Sequence, residues 1–342
     1  LLFKDYALHA WSTKLINKSV KVAKFFKHHQ YTNAEVRRRT REAGQTLAII
    51  LHGATRFAGV YYCMKRLLKI RTILKEIAAS AGFEERNFPD AEDIITILND
   101  TSFWKDIERL RLFMKPLKCF IKLTDHDCHV THHVYPGMWV VNDEWNRNAA
   151  EVPSAFQKHA LKELRKRWEW LTFPVHYITY GLSPSHHNDN IFTNKKVMDG
   201  LKEVIKFYAY NNQDYQLALR EFTAFKNYRD EECFPTDAKG DIIINMSPKS
   251  WWQIHGAMWP TLQPIATRVF SVGTSSSASE RNFSTWSHIW SNRANSLSFE
   301  RAIKMVYVYT NLRTLQHIRS GTQRKSNVES NWLATEIETD ED

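Results

Sequence analysis

The ten residues SSSASERNFS, from Ser275 to Ser284, place a carboxylate and a guanidinium side by side among small hydroxyl side chains. Glu280 and Arg281 are followed by Phe283 and by the partly aromatic run STWSHIW. An acid near the start of a helix is favoured by the helix dipole, so capping and surface charge explain Glu280. The alternative is that Glu280 belongs to an active site whose other residues lie elsewhere in the sequence.

A second concentration of reactive side chains is DHDCHVTHH, from Asp125 to His133. His, Cys and Asp are all metal ligands, but the spacing fits no common zinc pattern. We therefore favour a polar surface loop over a metal site here, and HHNDN at 186–190 is a weaker candidate still. The sequence contains no glycine-rich phosphate loop, no GxSxG elbow and no HExxH motif.

Positive charge is concentrated near the start of the chain. Residues 1–80 hold sixteen Lys and Arg against four acids, a net charge of +12, while the whole chain carries +10. The segment RRRTR at 37–41 is typical of this region. Such a concentration indicates a surface that contacts nucleic-acid phosphates, and a solvated basic helix face explains it equally well.

The composition predicts a chain with a substantial core. It has 342 residues and is 43% hydrophobic, which suffices for two or three modules. No run of eighteen apolar residues occurs, so no membrane span is expected. The four scattered cysteines show no CxxC spacing, which indicates a reducing compartment, the cytosol or the nucleus.

Apolar residues at helical spacing predict that helices dominate the fold. One strand is predicted, LAIIL from Leu47 to Leu51, because it is a continuous apolar run bounded by GQT and HG. A lone strand needs partners, which we expect upstream of Leu1. Because the chain also begins with Leu and not with Met, we expect a fragment cut at its N-terminal side. The helical spacing is clearest around residues 8–26, 60–77, 156–168 and 197–208.

A loop at 230–249 separates the helical middle from a C-terminal block and marks the clearest domain boundary. In that block Ser298 can cap a helix that has Glu300 in its first turn. We expect the apolar stripe of this helix to pack against another part of the protein or a second subunit, because it is too wide for one small helix to hide. The stripe consists of Ala302, Ile303, Val306, Tyr309 and Leu312.

Several short segments, in this order, resemble the hAT transposase superfamily. They are TRF at 55–57, FW at 103–104 with MKPL at 114–117, WW at 251–252, and SxSERNFS. The Arg–Phe pair resembles the plant- and oomycete-type branch, which has Phe where others have Trp. The segment WWQIHGAMWPTLQPIATRVFSVGTSSSASERNFS, followed by NRANSL, resembles the hAT C-terminal dimerisation region and is the most specific match.

The resemblance implies a mostly α fold. In hAT transposases a large all-α insertion interrupts an RNase H-like catalytic domain, and a C-terminal region completes the fold and supports dimerisation. The chain is therefore expected to hold an incomplete RNase H-like α/β core, the insertion and an α-helical dimerisation region. The expected domains are 1–58, the end of the catalytic core; 59–245, the insertion; 246–318, the dimerisation region; and 319–342, a disordered acidic tail.

The resemblance also implies a chemistry, DNA cleavage and strand transfer by three carboxylates that hold divalent metal. Glu280 matches the third carboxylate, with Arg281 beside it as a supporting or phosphate-facing residue. The family's two catalytic aspartates have no match in this chain. Since one carboxylate cannot hold the metal pair, we expect the chain alone to be inactive and to need no cofactor. Mg²⁺ is expected only if a longer product is an active enzyme.

Two groups of binding residues follow from the charge and from the resemblance. Arg56 and Phe57 match the motif associated with the DNA end, and the basic residues are expected to contact DNA. The expected DNA contacts are Arg56, Phe57, Arg37, Arg38, Arg39, Arg41 and Arg281. The expected dimerisation residues are Trp251, Trp252, Leu262, Ile303, Val306, Tyr309 and Leu312.

Three functions stay open. The first is a domesticated or remnant hAT protein whose remaining activity is dimerisation through residues 250–318, with DNA contact. The second is the back half of an active cut-and-paste transposase of a mobile element, whose aspartates lie upstream. The third is a module that binds DNA without cutting it. We expect a nuclear protein that forms a homodimer or higher homo-oligomer, contacts DNA and contacts no membrane.

Overall fold

A computed structural model of the chain describes residues 2–51, 59–125, 129–274, 277–290 and 297–319. The described residues are mostly α-helical and contain no strand, and one isolated bridge pairs Thr236 with Ile242. The prediction of a mostly helical protein is confirmed. Among these residues every helix is too short or too polar to cross a membrane.

The described residues form seventeen α-helices. Those in the first part of the chain are α1 (Leu2–Ala7), α2 (Ala10–His28), α3 (Gln30–Glu42), α4 (Gly59–Lys69), α5 (Arg71–Ala78), α6 (Ala81–Glu84), α7 (Ala91–Asn99) and α8 (Thr101–Thr124). Those in the second part are α9 (Val134–Arg147), α10 (Ser154–Leu171), α11 (Pro174–Leu182), α12 (Lys195–Tyr208), α13 (Asn212–Asn227), α14 (Pro248–His255), α15 (Leu262–Val269), α16 (Ser277–Ile289) and α17 (Phe299–Arg319).

Polar side chains cap the N-termini of several of these helices. The side-chain oxygen of Asn194 accepts a hydrogen bond from Val197 N at the start of α12, and that of Asn211 accepts one from Asp214 N at the start of α13. Each such bond satisfies one of the backbone N–H groups that a helix leaves unpaired in its first turn. Local sequence therefore sets where these helices begin.

The segment LAIIL at 47–51 is not a strand, so that prediction is wrong. Residues 45–51 are irregular, and side chains bond the backbone groups that a neighbouring strand would have paired. Thr40 Oγ1 donates to Leu47 O at 3.2 Å, and Arg66 Nη1 donates to Ala48 O at 2.6 Å. The described part of residues 1–58 consists of α1–α3 and this segment, and it contains no β-strand of an RNase H-like core.

Contacts divide the chain into two compact units. The first comprises Leu1–Lys118 and Trp139–Leu171, and the second comprises Cys119–Met138 and Thr172–Asp342. These divisions fall elsewhere than the domain boundaries near residues 58 and 245 that the sequence suggests. In the first unit, Arg167 of α10 holds the carboxylate of Asp5 of α1 with two hydrogen bonds of 2.9 and 3.0 Å.

The second unit has an aromatic core beneath its C-terminal helices. Trp251 and Trp252 of α14 are fully buried, and their indole N–H groups donate to Cys233 O at 2.9 Å and to Leu182 O at 2.8 Å. Because a buried indole N–H needs a partner, these bonds fix the orientation of α14. Phe225 of α13 packs against both rings, at centroid distances of 5.9 and 4.8 Å.

A buried carboxylate positions α15 in the same unit. Glu221 of α13 accepts hydrogen bonds from Thr261 N at 2.9 Å and from Leu262 N at 2.7 Å. These N–H groups stand at the start of α15, where the helix dipole favours a negative charge. Glu221 therefore caps a helix to which it is not adjacent in sequence.

Candidate dimerisation surface

The last helix, α17, begins as the sequence predicts. Ser298 Oγ accepts a hydrogen bond from Arg301 N at 3.4 Å, and Glu300 lies in the first turn. At the same end, Trp286 and Trp290 of α16 surround the ring of Phe299, at centroid distances of 5.9 and 5.2 Å. This aromatic cluster holds α16 and α17 together, and the two helices pack along each other.

One face of α17 is buried within the unit. Ala302 and Val306, one helical turn apart, are almost completely inaccessible to solvent. Their spacing of four residues places both on the same side of the helix. This narrow inward face accounts for only part of the apolar residues of α17.

A wider apolar face of α17 is exposed. Its residues recur at intervals of three and four, so they form one continuous line along the helix. Each is between 44% and 55% exposed, although all are large and apolar. We call this line the outer stripe, and it consists of Met305, Val308, Tyr309, Leu312 and Leu315. An exposed row of this length is unusual on a monomer and is typical of a surface that another chain covers.

The seven expected dimerisation residues fall into two groups. Ile303, Tyr309 and Leu312 are exposed. The others are buried inside the unit, so they are not presented to a partner. The buried group consists of Trp251, Trp252, Leu262 and Val306.

Sequence reasoning missed three residues of the outer stripe, Met305, Val308 and Leu315. The stripe that the sequence predicts mixes the buried face with the exposed one, since it joins Ala302, Ile303, Val306, Tyr309 and Leu312. The signal that identifies the outer stripe is its own spacing, since positions 305, 308, 309, 312 and 315 follow the three- and four-residue intervals of a helix face.

Glu280 lies in the first turn of α16 and is exposed. Divalent metal chemistry on DNA needs several carboxylates around the ions. Within the described ranges no group of three or more His, Cys, Asp or Glu residues is placed to hold a metal ion. The described residues therefore do not form the metal site that the resemblance implies, and Glu280 is its one matching residue.

The arginines of RRRTR differ in their partners. Arg38 donates to Glu35 at 2.8 and 3.0 Å and to Glu42 at 2.6 Å, and Arg39 donates to Glu35 at 3.1 Å. Hydrogen bonds from Arg38 lower the pKa of Glu35 to about 2. Arg37 and Arg41 are exposed and form no ion pair with any described residue.

The other expected DNA contacts lie outside what the structure describes. Arg56 and Phe57 are not among the described residues, and nothing is described of the Arg281 side chain. The helix α2 offers further cations that the sequence analysis did not single out. Lys14 and Lys24 are exposed on it and have no ion pair in the described part of the chain.

The interpretation of DHDCHVTHH as a polar surface loop is wrong for its last residues. His132 and His133 are buried in a short 3-10 helix, Thr131–His133. His133 Nδ1 lies 3.4 Å from His186 Nε2, and His186 Nδ1 lies 3.2 Å from an oxygen of Asp189. We call His132, His133 and His186 the histidine cluster. Burial lowers the pKa of His133 to about 3 and that of His132 well below its ordinary value.

The family comparison concerns the same C-terminal helices. Residues 224–312 match the family model of the hAT family C-terminal dimerisation region. The matched segment runs from the end of α13 to Leu312 and includes Met305, Val308 and Tyr309 of the outer stripe. The match supports hAT family membership and a transposase-derived protein with dimerisation. No curated protein matches the chain.

Proposed function

We propose that this protein is a hAT transposase derivative that forms a homodimer through the outer stripe of α17. The observation that carries the proposal is the row of large apolar side chains that α17 leaves exposed, four of the five inside the segment that matches a dimerisation region. The match locates the dimerisation region along the chain, and the exposure shows which side chains of that region a partner could cover. A second copy of the same stripe is the simplest cover, because a two-fold interface uses one patch twice.

The energetics of the outer stripe fit such an interface. Each side chain already has about half of its surface covered, so covering the rest contributes about 1 kcal/mol per residue. Five residues on each of two chains then supply about 10 kcal/mol before the entropic cost of association. Arg301 and Lys304 flank the stripe in the first turns of α17 and are exposed, as expected of a polar rim.

Light scattering on the 342-residue chain at micromolar concentration tests this proposal. We expect a mass near twice the 40.2 kDa of one chain. A mass of one chain at every concentration up to tens of micromolar would exclude it, because a stripe of this size then has no partner in a second copy.

We also propose that the dimer contacts DNA and acts in the nucleus. Support comes from the charge of residues 1–80 and from four exposed cations there that have no ion pair within the described residues: Lys14, Lys24, Arg37 and Arg41. Phosphate contacts need cations that are not already neutralised by neighbouring acids. Arg38 and Arg39, which the sequence analysis expects to contact DNA, would first have to leave Glu35. Arg56, Phe57 and Arg281 stay in the proposal on the resemblance alone.

A role for Glu280 as the third carboxylate of a longer, active enzyme is the second candidate. Its support is the resemblance around SxSERNFS and the exposed position of Glu280 at the start of α16. The test is Mg²⁺-dependent nicking of terminal-inverted-repeat DNA by a product that includes upstream residues, and its loss in Glu280→Gln. Nicking that Glu280→Gln leaves unchanged would remove this role.

A further inference from the structure

A cationic line runs along the outer side of α10, far in sequence from the basic start of the chain. Lys158, Lys162 and Arg165 are exposed at intervals of four and three residues, so they share one face of the helix. The opposite face is apolar and buried, with Phe156 and Leu164 in the core of the first unit. The line is therefore fixed to a rigid element and points away from that core.

These three cations differ from their neighbours in having no acidic partner. Arg167 of the same helix is bound to Asp5, and Lys166 lies 3.9 Å from Glu163. By contrast Lys158, Lys162 and Arg165 have no ion pair or hydrogen-bond partner within the described ranges. Glu169, one turn beyond Arg165, is exposed and forms no ion pair with it. The charge of the line is thus available to a ligand.

Tryptophans stand at the end of the cationic line. Trp168 follows Arg165 by one helical turn, and the ring of Trp139 from α9 meets it edge to face, with centroids 4.9 Å apart. Trp139 is 45% exposed. A tryptophan this exposed loses the stabilisation that burial of its large apolar ring would give. Almost half of the Trp139 surface is therefore accessible to a ligand next to Trp168, at the end of the cationic line.

We propose that this surface, Lys158, Lys162, Arg165, Trp139 and Trp168, binds single-stranded nucleic acid. Phosphates bind along the cationic line, where successive cations are about 6 and 4.5 Å apart along the helix axis. Unpaired bases stack on the indoles, because every base has a π face that a tryptophan can accept. An acidic peptide would satisfy the cations but would leave the exposed part of the Trp139 ring unused. This surface consists of residues of α9 and α10 and shares none with the outer stripe or with residues 1–80, so the proposal goes beyond the functions proposed above.

The test is fluorescence anisotropy of labelled oligothymidine, about 20 nucleotides long, titrated with the full chain. The variant combines Lys158→Gln, Lys162→Gln and Arg165→Gln. The matched control combines Lys196→Gln, Lys202→Gln and Lys206→Gln, three exposed lysines of α12 that have no described ion pair. We expect the α10 variant to weaken binding at least about tenfold and to lower the salt slope by about 2, since each single-strand phosphate contact contributes about 0.7. The control should change affinity less than about twofold.

A second variant tests the tryptophans. Trp139→Ala should weaken binding of oligothymidine about tenfold and binding of a duplex of equal length much less, because paired bases do not expose their faces. Circular dichroism confirms that each variant is folded. The proposal is overturned if the α10 triple variant and the α12 control weaken binding equally. It is also overturned if Trp139→Ala weakens binding of single strand and of duplex alike. It is also overturned if polyglutamate of equal charge competes as well as oligothymidine, since the partner is then acidic protein.

Discussion

Met305 and Val306 are neighbours in the sequence, yet the Met305 side chain is 48% exposed and the Val306 side chain 5% exposed. Successive residues of an α-helix are rotated by about 100°, so adjacent positions can belong to different faces. Val306 lies on the face that α17 buries in its own unit, and Met305 lies on the outer stripe. Val306 is therefore expected to stabilise the fold, and Met305 is expected to take part in dimerisation.

This difference in burial predicts unequal effects of two alanine substitutions on stability. Val306→Ala should lower the free energy of unfolding by about 1–2 kcal/mol, because it leaves a small cavity in the unit. Met305→Ala should change it by less than about 0.5 kcal/mol in dilute monomer, since its side chain contacts solvent there. Urea unfolding followed by circular dichroism at low concentration measures both. Equal losses would mean that Met305 is also a core residue.

The carboxylate of Glu221 is expected to be essential for the second unit. Glu221→Ala leaves Thr261 N and Leu262 N without their acceptor at a buried helix start, which should cost about 2–3 kcal/mol of unfolding free energy. Glu203→Ala, on the exposed side of α12, is the control and should cost less than about 0.5 kcal/mol. Thermal unfolding of both variants measures the difference in stability. Similar midpoints would show that the cap does not stabilise α15.

The histidine cluster predicts that stability falls in acid. The pKa of His133 is about 3 in the folded chain, against an ordinary value of 6.5. A folded-state pKa below the unfolded one gives stability that is complete above about 6.5 and is lost as the pH falls towards the folded pKa. From pH 7 to pH 5 each histidine that stays neutral in the folded state should cost about 2 kcal/mol. Urea unfolding at the two pH values measures this loss.

Two substitutions make the pH prediction specific. His133→Gln carries no titrating group, so the loss between pH 7 and pH 5 should shrink by about 2 kcal/mol. His28→Gln, at an exposed position at the end of α2, is the matched control for the loss of a histidine side chain. The other charged groups around the cluster either also reduce stability as the pH falls or titrate outside the range from pH 5 to pH 7. Although burial opposes it, a hydrogen bond from His186 lowers the pKa of Asp189, so its contribution is also lost only in stronger acid. Burial lowers the pKa of nearby Lys226 to about 8.

The unequal partners of the RRRTR arginines predict unequal roles in DNA contact. Arg37→Gln with Arg41→Gln should weaken duplex binding and lower the salt slope by about 2, since each neutralised phosphate contributes about 0.9. Arg38→Gln with Arg39→Gln removes the same charge, but those side chains already bind Glu35 and Glu42, so the affinity should fall less. Anisotropy titrations over a range of salt measure both. Equal effects would show that the ion pairs open on DNA.

The resemblance and the lone carboxylate predict that this chain does not cut DNA by itself. Supercoiled plasmid incubated with the chain and Mg²⁺ should stay intact, because the resemblance matches one carboxylate of the three that the chemistry needs. Nicking that disappears in Glu280→Gln would contradict this prediction, since other carboxylates would then complete the site.

The sequence predicts where several helices lie, but it does not predict which groups pack against them or bond the segments between them. Helical spacing around residues 156–168 and 197–208 is enough to locate α10 and α12, and the cap at Ser298 is visible as a local signal. The prediction of a strand at 47–51 fails because an apolar run does not reveal that the side chains of Thr40 and Arg66 donate hydrogen bonds to its backbone carbonyls. Burial of His132 and His133 depends on tertiary packing, which no local pattern records.

The candidate surfaces show the same limit. The sequence indicates an apolar stripe on α17, but which residues face inward depends on where α16 packs. Counting charge over residues 1–80 finds the basic region and treats Arg37 and Arg38 alike, although among the described residues only Arg38 has acidic partners. Residues 154–171 hold five Lys and Arg against two Glu, but the sequence alone does not show which of these cations are paired with an acid.

The most direct test of dimerisation through α17 is sedimentation equilibrium of three forms of the chain. They are the unaltered chain, the variant Val308→Asp with Leu312→Asp, and the control Leu217→Asp, which places one charge at an exposed apolar position of α13. Aspartate in the outer stripe would bury unpaired charge in the interface. We therefore expect the dissociation constant of the dimer to rise at least about a hundredfold. The control should remain a dimer. A stripe variant that dimerises as tightly as the unaltered chain would contradict the proposal that the outer stripe is the interface.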